Sequence, residues 1–342
     1  MIRVGVVRGG PSSEYGVSLK TGGSVISHLL GDKLNQFYKP IDILIDKDGV
    51  WHKNGLPTTI ESIFHSVDVI FNAMHGEYGE DGKIQQIFDQ WQIPYTGSRA
   101  FASAVGFNKA LSKEQFNILG IKTPDHILFS AYKEDIDAIP PLTGQSARNK
   151  YAERKAHEIL GRISPPWIAK PLSGGSSVGM RLCKTFPELE DALLQIVNSD
   201  SSILVEEFIE GKEATVGVIE NFRGKNIYTL PPIEIRIPKT SIFFDYDAKY
   251  GGKTQEICPG NFSRQEKEEL EKMAGLIHTG LNLSHYSRSD FIIHPKKGIY
   301  ALEVNTLPGL TSESLIPKAL IAVGSDLPEF IDHLIKLAKN SR

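Results

Sequence analysis

The sequence predicts an α/β protein with two or three domains, and three observations lead to that fold class. The chain has 342 residues, which is more than one small hydrophobic core holds. Hydrophobic residues make up 40% of it and charged residues 23%, a composition typical of folded globular proteins. Short apolar runs near the N-terminus alternate with an amphipathic helical pattern, so the chain is expected to open as a βαβ unit.

Charge and cysteine usage argue against several classes of protein. With 38 basic and 41 acidic residues the formal charge is −3, so no nucleic acid or other polyanionic partner is expected. The two cysteines, Cys183 and Cys258, lie far apart and outside any Cys-x-x-Cys pattern. This spacing argues against a disulfide framework and against a structural zinc site. A reducing compartment, the cytoplasm, fits this usage best.

No targeting or membrane segment is expected. Residues 1–7 form a short apolar run that Arg3 interrupts, unlike the longer apolar core of a signal peptide. No run of about 18 uninterrupted apolar residues follows, which is the length that a membrane-spanning helix needs. The sequence therefore predicts a soluble protein that does not contact a membrane.

The first domain is predicted to extend from residue 1 to residue 97. Its apolar and amphipathic segments predict strands Ile2–Val7, Ile41–Ile45 and Val67–Ala73 and helices Ser18–Leu30 and Lys83–Trp91. Gly5, Gly9 and Gly10 do not have the G-x-G-x-x-G spacing, so a dinucleotide-binding turn is rejected.

Two further domains are predicted, over residues 98–205 and 206–342. Apolar runs predict strands Trp167–Lys170, Gly179–Cys183, Ile203–Glu207, Glu213–Ile219, Ser287–Ile293 and Ile299–Val304, of which the last two form a hairpin. Thr185 with Glu188, and Ser263 with Glu266, have the spacing of capping boxes that begin two helices. The polar segment 131–164 is the least interpretable part, although residues 149–160 have a basic helical pattern.

A glycine- and serine-rich loop, residues 172–179, follows the strand that ends at Lys170. Glycines let backbone N–H groups approach anionic oxygens, and the serines add hydroxyl donors. Lys170 would supply the fixed positive charge of a phosphate-binding loop. The loop is not a Walker A motif, and by itself a flexible surface turn is the better interpretation.

Arg288, Asp290, Glu303 and Asn305 lie on the two strands of the predicted hairpin. Alternate residues of a strand share a face, so these side chains are expected to converge. Two carboxylates and an amide oxygen suit Mg²⁺ when phosphate oxygens and water complete its shell. Arg288 would face a developing negative charge. The alternative is the solvated face of an ordinary hairpin.

The run from Asp245 to Tyr250 alternates charged and aromatic residues and ends at two glycines. Such a run could form a mobile lid that brings Lys249 and Tyr250 to a nucleotide and a substrate. Alone it is better interpreted as an exposed loop. In the same way, His75 alone indicates a turn or core histidine, and Glu14 alone a favourable charge near a helix start.

Taken together and in order, these segments resemble D-alanine–D-alanine ligases along nearly the whole chain, from about Val4 to Leu315. The matching segments are residues 9–14 with 17–18, 75–82, 94–98, 170–171 with 175–179, 245–250, 258–259 and 303–312. The resemblance implies the ATP-grasp fold, an α/β (α+β) architecture of three domains, the first a preATP-grasp-like domain that completes the amino-acid site. One departure from the family pattern is Asn108, which stands where aspartate usually precedes the lysine.

The resemblance also implies how ATP and metal are bound. Lys109, Lys170 and Lys249 would hold phosphates, Glu206 and Ile209 would meet adenine, Glu213 the ribose, and Asp290, Glu303 and Asn305 two Mg²⁺ ions, for which Mn²⁺ can substitute. The carboxylate of one D-alanine would attack the γ-phosphate, and the amine of a second D-alanine would displace phosphate from the acylphosphate.

The implied amino-acid sites use both ends of the chain. Glu14 would bind the first ammonium group, linked through Ser176 to Tyr250, and His75 would lie close by. Ser314 and Leu315 would bind the second carboxylate, while Arg288 and the Gly309 N–H would stabilise the tetrahedral anion. The family also implies a homodimer.

Three functions stay open at this point. The first is the joining of two D-alanines. The second is a sibling reaction that yields D-alanyl-D-lactate or D-alanyl-D-serine, or another ATP-grasp ligation. Tyr250 favours two D-alanines, because relatives that accept a hydroxy acid typically alter this position. The third is a nucleotide-binding regulatory protein without turnover, against which the intact set of charged residues argues.

Overall fold

The computed structural model of the chain describes residues 1–129, 147–172, 179–198, 202–236 and 254–340. Within these ranges the strands form three sheets. Each sheet uses one part of the chain, with strands before residue 73, between 126 and 207, and after 212.

The first sheet has the strand order β4-β3-β2-β1-β5. Its strands are β1 (Ile2–Gly9), β2 (Tyr38–Ile45), β3 (Trp51–Lys53), β4 (Leu56–Pro57) and β5 (Val69–Asn72), and its helices are α1 (Tyr15–Leu30), α2 (Ile60–Phe64) and α3 (Lys83–Gln90). β1 pairs in parallel with both β2 and β5. Val4, Val6 and Val7 of β1 have no exposed surface, as is typical of a central strand in a parallel sheet.

Two helices, α4 (Ala100–Phe107) and α5 (Lys109–Ile118), lie in the chain between the first sheet and the second. The second sheet is antiparallel and has the order β6-β9-β7-β8. Its strands are β6 (His126–Phe129), β7 (Trp167–Pro171), β8 (Arg181–Cys183) and β9 (Ile203–Glu207), and its helices are α6 (Ala147–Leu160) and α7 (Phe186–Asn198). The capping box at α7 is confirmed, because Glu188 N donates to Thr185 Oγ1 (3.4 Å) and Thr185 N donates to Glu188 Oε2 (3.3 Å).

The third sheet has the order β13-β12-β10-β14-β15, and β11 pairs with β10 beside this path. Its strands are β10 (Lys212–Phe222), β11 (Lys225–Thr229), β12 (Ile233–Arg236), β13 (Gln255–Ile257), β14 (Tyr286–His294) and β15 (Gly298–Asn305). Its helices are α8 (Arg264–Gly280), α9 (Leu315–Ala322) and α10 (Leu327–Asn340). The capping box of Ser263 and Glu266 at α8 and the hairpin β14–β15 are both confirmed.

Two of the hydrophobic cores join parts of the chain that are distant in sequence. Ala102 and Phe116, from α4 and α5, belong to the core of the third sheet. Val4 and Phe71 of the first sheet share a core with α9 and α10. This shared core places the first sheet beside the C-terminal helices.

The second sheet has a core of its own. Helix α6 contributes Tyr151, Ala152 and Ile159 to that core, so residues 147–160 are an integral part of this unit. The predicted helical pattern over 149–160 is therefore confirmed, whereas residues 131–146 lie outside the described residues.

The predicted domain limits at residues 97 and 205 stay predictions, and β9 spans the second of them. In the part of the chain that the structure describes, no helix combines the length and the apolar character needed to cross a bilayer.

Candidate active site

A cavity of about 1190 Å³ lies where the three sheets approach one another. Ten of the predicted site residues line it: Glu14, His75, Lys109, Lys170, Arg288, Glu303, Asn305, Gly309, Ser314 and Leu315. They come from the N-terminal end of α1, the loop after β5, α5, β7, the hairpin β14–β15, and the segment that leads from this hairpin into α9. The fold thus brings together residues that are up to 301 positions apart in the sequence.

The hairpin β14–β15 places its polar residues as the alternation pattern predicts. Arg288 lies opposite Asn305, and Asp290 lies opposite Glu303. The register shifts after Asp290, a β-bulge of the kind that re-aims side chains next to active sites. The four side chains therefore share one face of the hairpin.

Asp290 holds Arg288 by two hydrogen bonds. Arg288 Nε donates to Asp290 Oδ1 (3.0 Å), and Nη2 donates to Oδ2 (2.9 Å). Thr215 Oγ1 on β10 also donates to Asp290 Oδ1 (2.5 Å). Burial opposes the charge of Arg288, but the Asp290 carboxylate outweighs it and raises the pKa of the guanidinium. Arg288 is therefore a fixed, permanently charged group in the cavity wall.

The donor set of the hairpin fits Mg²⁺ that is shared with a ligand's oxygens. Asp290, Glu303 and Asn305 offer two carboxylates and one amide oxygen, which are the hard ligands that this ion prefers. Among the described residues, no group of three or more His, Cys, Asp or Glu side chains is arranged to hold a metal alone. Phosphate oxygens would have to complete the coordination.

Lys109 and Lys170 add positive charge to the cavity wall. Lys109 is the first residue of α5, where Asn108 Oδ1 accepts from Ala110 N and Leu111 N, both at 3.1 Å. Asn108 thus caps α5 at the position where the family pattern described above has aspartate. Burial, together with the charge of Lys170, lowers the pKa of Lys109 against the opposing influence of Glu303.

Glu206 on β9 is buried between two lysines. Lys170 Nζ lies 2.8 Å from its Oε2, and Lys113 Nζ lies 3.0 Å from its Oε1. Burial alone would raise the pKa of Glu206, but the two ammonium groups lower it to about 2. Burial lowers the pKa of Lys113 to about 8, although Glu206 opposes this. The carboxylate is therefore ionised and already engaged by both lysines.

The loop after β5 carries His75 towards Glu14 at the start of α1. His75 Nε2 lies 2.8 Å from Thr21 Oγ1, and its Nδ1 lies 3.7 Å from Glu80 Oε1. Glu80 is buried and accepts from Gly76 N (2.9 Å). The loop and the start of α1 together therefore present two carboxylates, Glu80 and Glu14, and one imidazole to the cavity.

Gly76 allows this close approach. Its φ is +70°, and a Cβ there would lie 2.6 Å from Ser12 Oγ and 2.9 Å from Glu14 Oε2. Real Cβ atoms do not come so close to other heavy atoms, so any side chain at this position would displace Ser12 or Glu14.

We expect Gly76→Ala to lower the free energy of unfolding by more than the strain of its backbone alone. A positive φ costs alanine about 1–2 kcal/mol, and the overlap with Ser12 and Glu14 should add roughly 1–3 kcal/mol. Gly120→Ala is the matched control, because Gly120 has the same φ of +70° and nothing within 4 Å. Urea unfolding of both variants measures the difference in their free energies of unfolding. Equal losses in the two variants would show that the loop around Gly76 accommodates the added methyl group without further destabilisation.

The start of α9 forms another part of the cavity wall. Ser314 is the N-cap residue of this helix, and its Oγ accepts from Thr311 N (3.1 Å). A Cβ on Gly309 would lie 2.9 Å from that same oxygen, so the chain passes close to Ser314. N–H groups at a helix N-terminus favour an anion such as a carboxylate.

Seven of the predicted site residues are not among those that line the cavity. Ser176, Lys249 and Tyr250 lie outside the described residues. Asp290 is described and meets the cavity wall through its hydrogen bonds to Arg288. Glu206, Ile209 and Glu213 are described as well, and their contacts with adenine and ribose stay predictions.

The sequence did not single out four residues that the structure places in or beside this site. Lys113 and Glu80 are buried there, and Lys318 on α9 pairs with Glu256 on β13 at 2.6 Å in the cavity wall. The one available signal was the spacing of Lys113, which is four residues after Lys109 and so on the same helical face.

Comparison with known proteins gives two matches to family models. The model described as D-ala D-ala ligase C-terminus matches residues 138–336, and the one described as D-ala D-ala ligase N-terminus matches residues 53–98. The first of these alone covers more than half of the chain.

Individual relatives match over the full length. The D-alanine–D-alanine ligase of Carboxydothermus hydrogenoformans is 34% identical over 343 residues, which cover 100% of this chain and 99% of the relative. Two similar solved structures are the Bacillus anthracis D-alanine–D-alanine ligase complexed with ATP and the VanG D-Ala:D-Ser ligase of Enterococcus faecalis. The first is 28% identical, with a TM-score of 0.76 and coverage of 100% of this chain and 98% of that chain. The second is 26% identical, with a TM-score of 0.78 and coverage of 98% and 99%.

Proposed function

Since this chain belongs to the D-alanine–D-alanine ligase family and has its ATP-grasp fold, we propose that it joins two D-alanines to D-alanyl-D-alanine for peptidoglycan precursors. The reaction converts ATP to ADP and phosphate. The observation that carries this proposal is that two lysines, two of the three oxygen ligands of the hairpin and the residues proposed for both amino-acid subsites all line one cavity.

The phosphates of ATP lie between Lys109 and Lys170 on one side and the hairpin β14–β15 on the other. The lysines attract the phosphate oxygens, and Asp290, Glu303 and Asn305 would hold two Mg²⁺ ions. When bound, these ions neutralise phosphate charge and make the γ-phosphate easier to attack. The Gly/Ser loop with Ser176 and the segment with Lys249 are proposed to close over the nucleotide, with adenine near Glu206 and Ile209 and ribose near Glu213.

The first D-alanine is activated at the N-terminal side of the cavity. Glu14 pairs with its ammonium group and His75 lies beside it, so its carboxylate points towards the γ-phosphate. A carboxylate oxygen attacks phosphorus, the bond to the β-phosphate oxygen breaks, and an acylphosphate and ADP result.

The second D-alanine binds at the start of α9. Its carboxylate accepts from the Ser314 hydroxyl and the Leu315 N–H, which leaves its amine free to attack the acylphosphate carbonyl. Arg288 and the Gly309 N–H donate to the oxygen that becomes negative in the tetrahedral intermediate. Collapse of this intermediate expels phosphate and leaves the peptide bond.

An end-point assay tests the function directly. The full chain is incubated with ATP, Mg²⁺ and D-alanine, and ADP, phosphate and dipeptide are quantified together. With D-alanine we expect equal amounts of ADP, phosphate and dipeptide. With L-alanine we expect no turnover of ATP and no dipeptide. ATP binding without turnover would instead identify a regulatory nucleotide-binding protein.

A D-serine or D-lactate product is the competing proposal, and the likeness to a D-Ala:D-Ser ligase structure keeps it open. The second-substrate choice is proposed to depend on Tyr250 in the lid. We expect Tyr250→Phe to leave ATP binding intact and to raise depsipeptide relative to dipeptide several-fold, the scale of one hydrogen bond of about 1 kcal/mol.

Competition between D-alanine and D-lactate or D-serine from pH 6 to pH 9, with all products quantified, measures this ratio. Tyr246→Phe, in the same segment, is the control. An unchanged ratio at every pH would place the selecting group elsewhere, and a preference of the unaltered chain for D-lactate or D-serine would make it the sibling ligase.

A cytoplasmic homodimer completes the proposal. Both cysteines are free thiols, which fits a reducing compartment. The dimer is inferred from the family alone, and analytical ultracentrifugation of the purified chain tests it.

A further inference from the structure

Lys113 is a lysine without any exposed side-chain surface. Its ammonium group donates to Thr123 Oγ1 (2.9 Å) and lies 3.0 Å from Glu206 Oε1. Thr123 Oγ1 in turn donates to Ala301 O on β15 (2.9 Å). A buried lysine is costly unless a counter-charge accompanies it, so Lys113 and Glu206 stabilise each other.

Lys113 does not reach the cavity, whereas Lys170 does. Both lysines nevertheless share the one carboxylate of Glu206, Lys113 at Oε1 and Lys170 at Oε2. Two ammonium groups and one carboxylate have a net charge of +1, and the only one of the three that lines the cavity among the described residues is Lys170.

The net charge of this triad depends on Lys113. Without it, Glu206 and Lys170 would form a neutral buried pair, and an anion in the cavity would have to compete with Glu206 for the same ammonium group. When Lys113 is present, its ammonium group balances the charge of Glu206. The hydrogen bond to Glu206 then orients Lys170, and Lys170 keeps its positive charge for an anion in the cavity.

We propose that Lys113 is a positioning residue for nucleotide binding, which neutralises Glu206 so that Lys170 presents a full positive charge to the phosphates. The inference rests on the proposed function for the identity of the anion. The proposed effect is the attraction of a polyphosphate. It does not require that the ligand has a base or that an amino acid is bound.

The test compares Lys113→Met with the double variant Lys113→Met/Glu206→Gln. Methionine keeps most of the length and volume of lysine without the charge. In the double variant the amide oxygen of the introduced glutamine can still accept from Lys170, and the net charge returns to +1. Lys155→Met is the matched control, since Lys155 also forms an ion pair, with Glu158, and is partly buried in the second unit.

Binding is measured by calorimetry with Mg²⁺ and either ATP or inorganic tripolyphosphate, in the absence of amino acids. We expect Lys113→Met to weaken both ligands at least about ten-fold, the scale of one charge-assisted interaction. The double variant should recover to within about three-fold of the unaltered chain, because the two changes act on one charge balance. The effect on tripolyphosphate separates this role from any contact between Glu206 and adenine.

Several outcomes would overturn the inference. Unchanged affinity of Lys113→Met would do so. A double variant as weak as the single one would also do so, because affinity should return with the charge balance if that balance is what Lys113 provides. If Lys113→Met does not fold, the affinity of the double variant decides alone. Failure of the unaltered chain to bind ATP would contradict the proposed function instead, so the two failures are distinguishable.

Discussion

Replacing Glu303 with glutamine is expected to abolish turnover while the protein stays folded. Glutamine keeps the shape of the side chain on β15 but removes the negative charge that lies opposite Asp290. A Mg²⁺ site with one carboxylate fewer binds its ion weakly and loses several kcal/mol of charge stabilisation. Turnover should therefore fall more than about a hundred-fold.

Phosphate release at saturating ATP and D-alanine, followed across a range of Mg²⁺ concentrations, measures this effect. Glu269→Gln is the control, since Glu269 is an exposed residue of α8 and should behave like the unaltered chain. Circular dichroism and thermal unfolding establish that each variant is folded. Near-normal activity of Glu303→Gln at ordinary Mg²⁺ would remove Glu303 from the metal site.

Replacing Arg288 with lysine is expected to lower kcat by roughly 10²–10³-fold, the scale of one lost oxyanion donor. Two N–H groups of Arg288 bind Asp290, and in the described part of the chain its Nη1 has no hydrogen-bond acceptor. Nη1 can therefore donate to the oxygen that gains charge during the reaction. Lysine can keep the ion pair with Asp290. It has no planar guanidinium group, however, with which to bind Asp290 and the oxyanion at the same time.

Separate values of kcat and of KM for ATP are the measurement. We expect the loss to be in kcat, since the donor acts on the transition state more than on the bound nucleotide. Arg236→Lys is a matched control, because Arg236 binds Glu234, also two residues away in its strand, through Nε (2.7 Å) and Nη2 (3.2 Å). A small change in kcat for Arg288→Lys, equal to that of Arg236→Lys, would exclude the oxyanion role.

The hairpin could be predicted from the sequence because its information is local. Alternation placed Arg288 and Asp290 on one face, and Glu303 and Asn305 on the next strand were expected to meet them. The capping boxes of α7 and α8 were equally readable, since each depends on residues three positions apart.

The buried ionic contacts could not be predicted in this way. Lys113 and Glu206 are 93 positions apart, and the spacing of Lys113 from Lys109 on one helical face does not indicate that its partner is Glu206. Lys318 and Glu256 meet across 62 positions for the same reason. Such pairs depend on how the sheets pack against one another, and the residue pattern within one helix or strand does not predict that packing.

The core shared by the first sheet and the C-terminal helices has a consequence for synthesis of the protein. Tyr38 OH donates to Asp332 Oδ1 (2.6 Å) across 294 positions, and Lys33 pairs with Asp326. A chain that has been translated only as far as Leu310 contains the first sheet, but the apolar face of that sheet still lacks α9 and α10. Exposed surface of this kind is prone to aggregation, so the nascent chain depends on residues 315–340, or on a chaperone until they emerge.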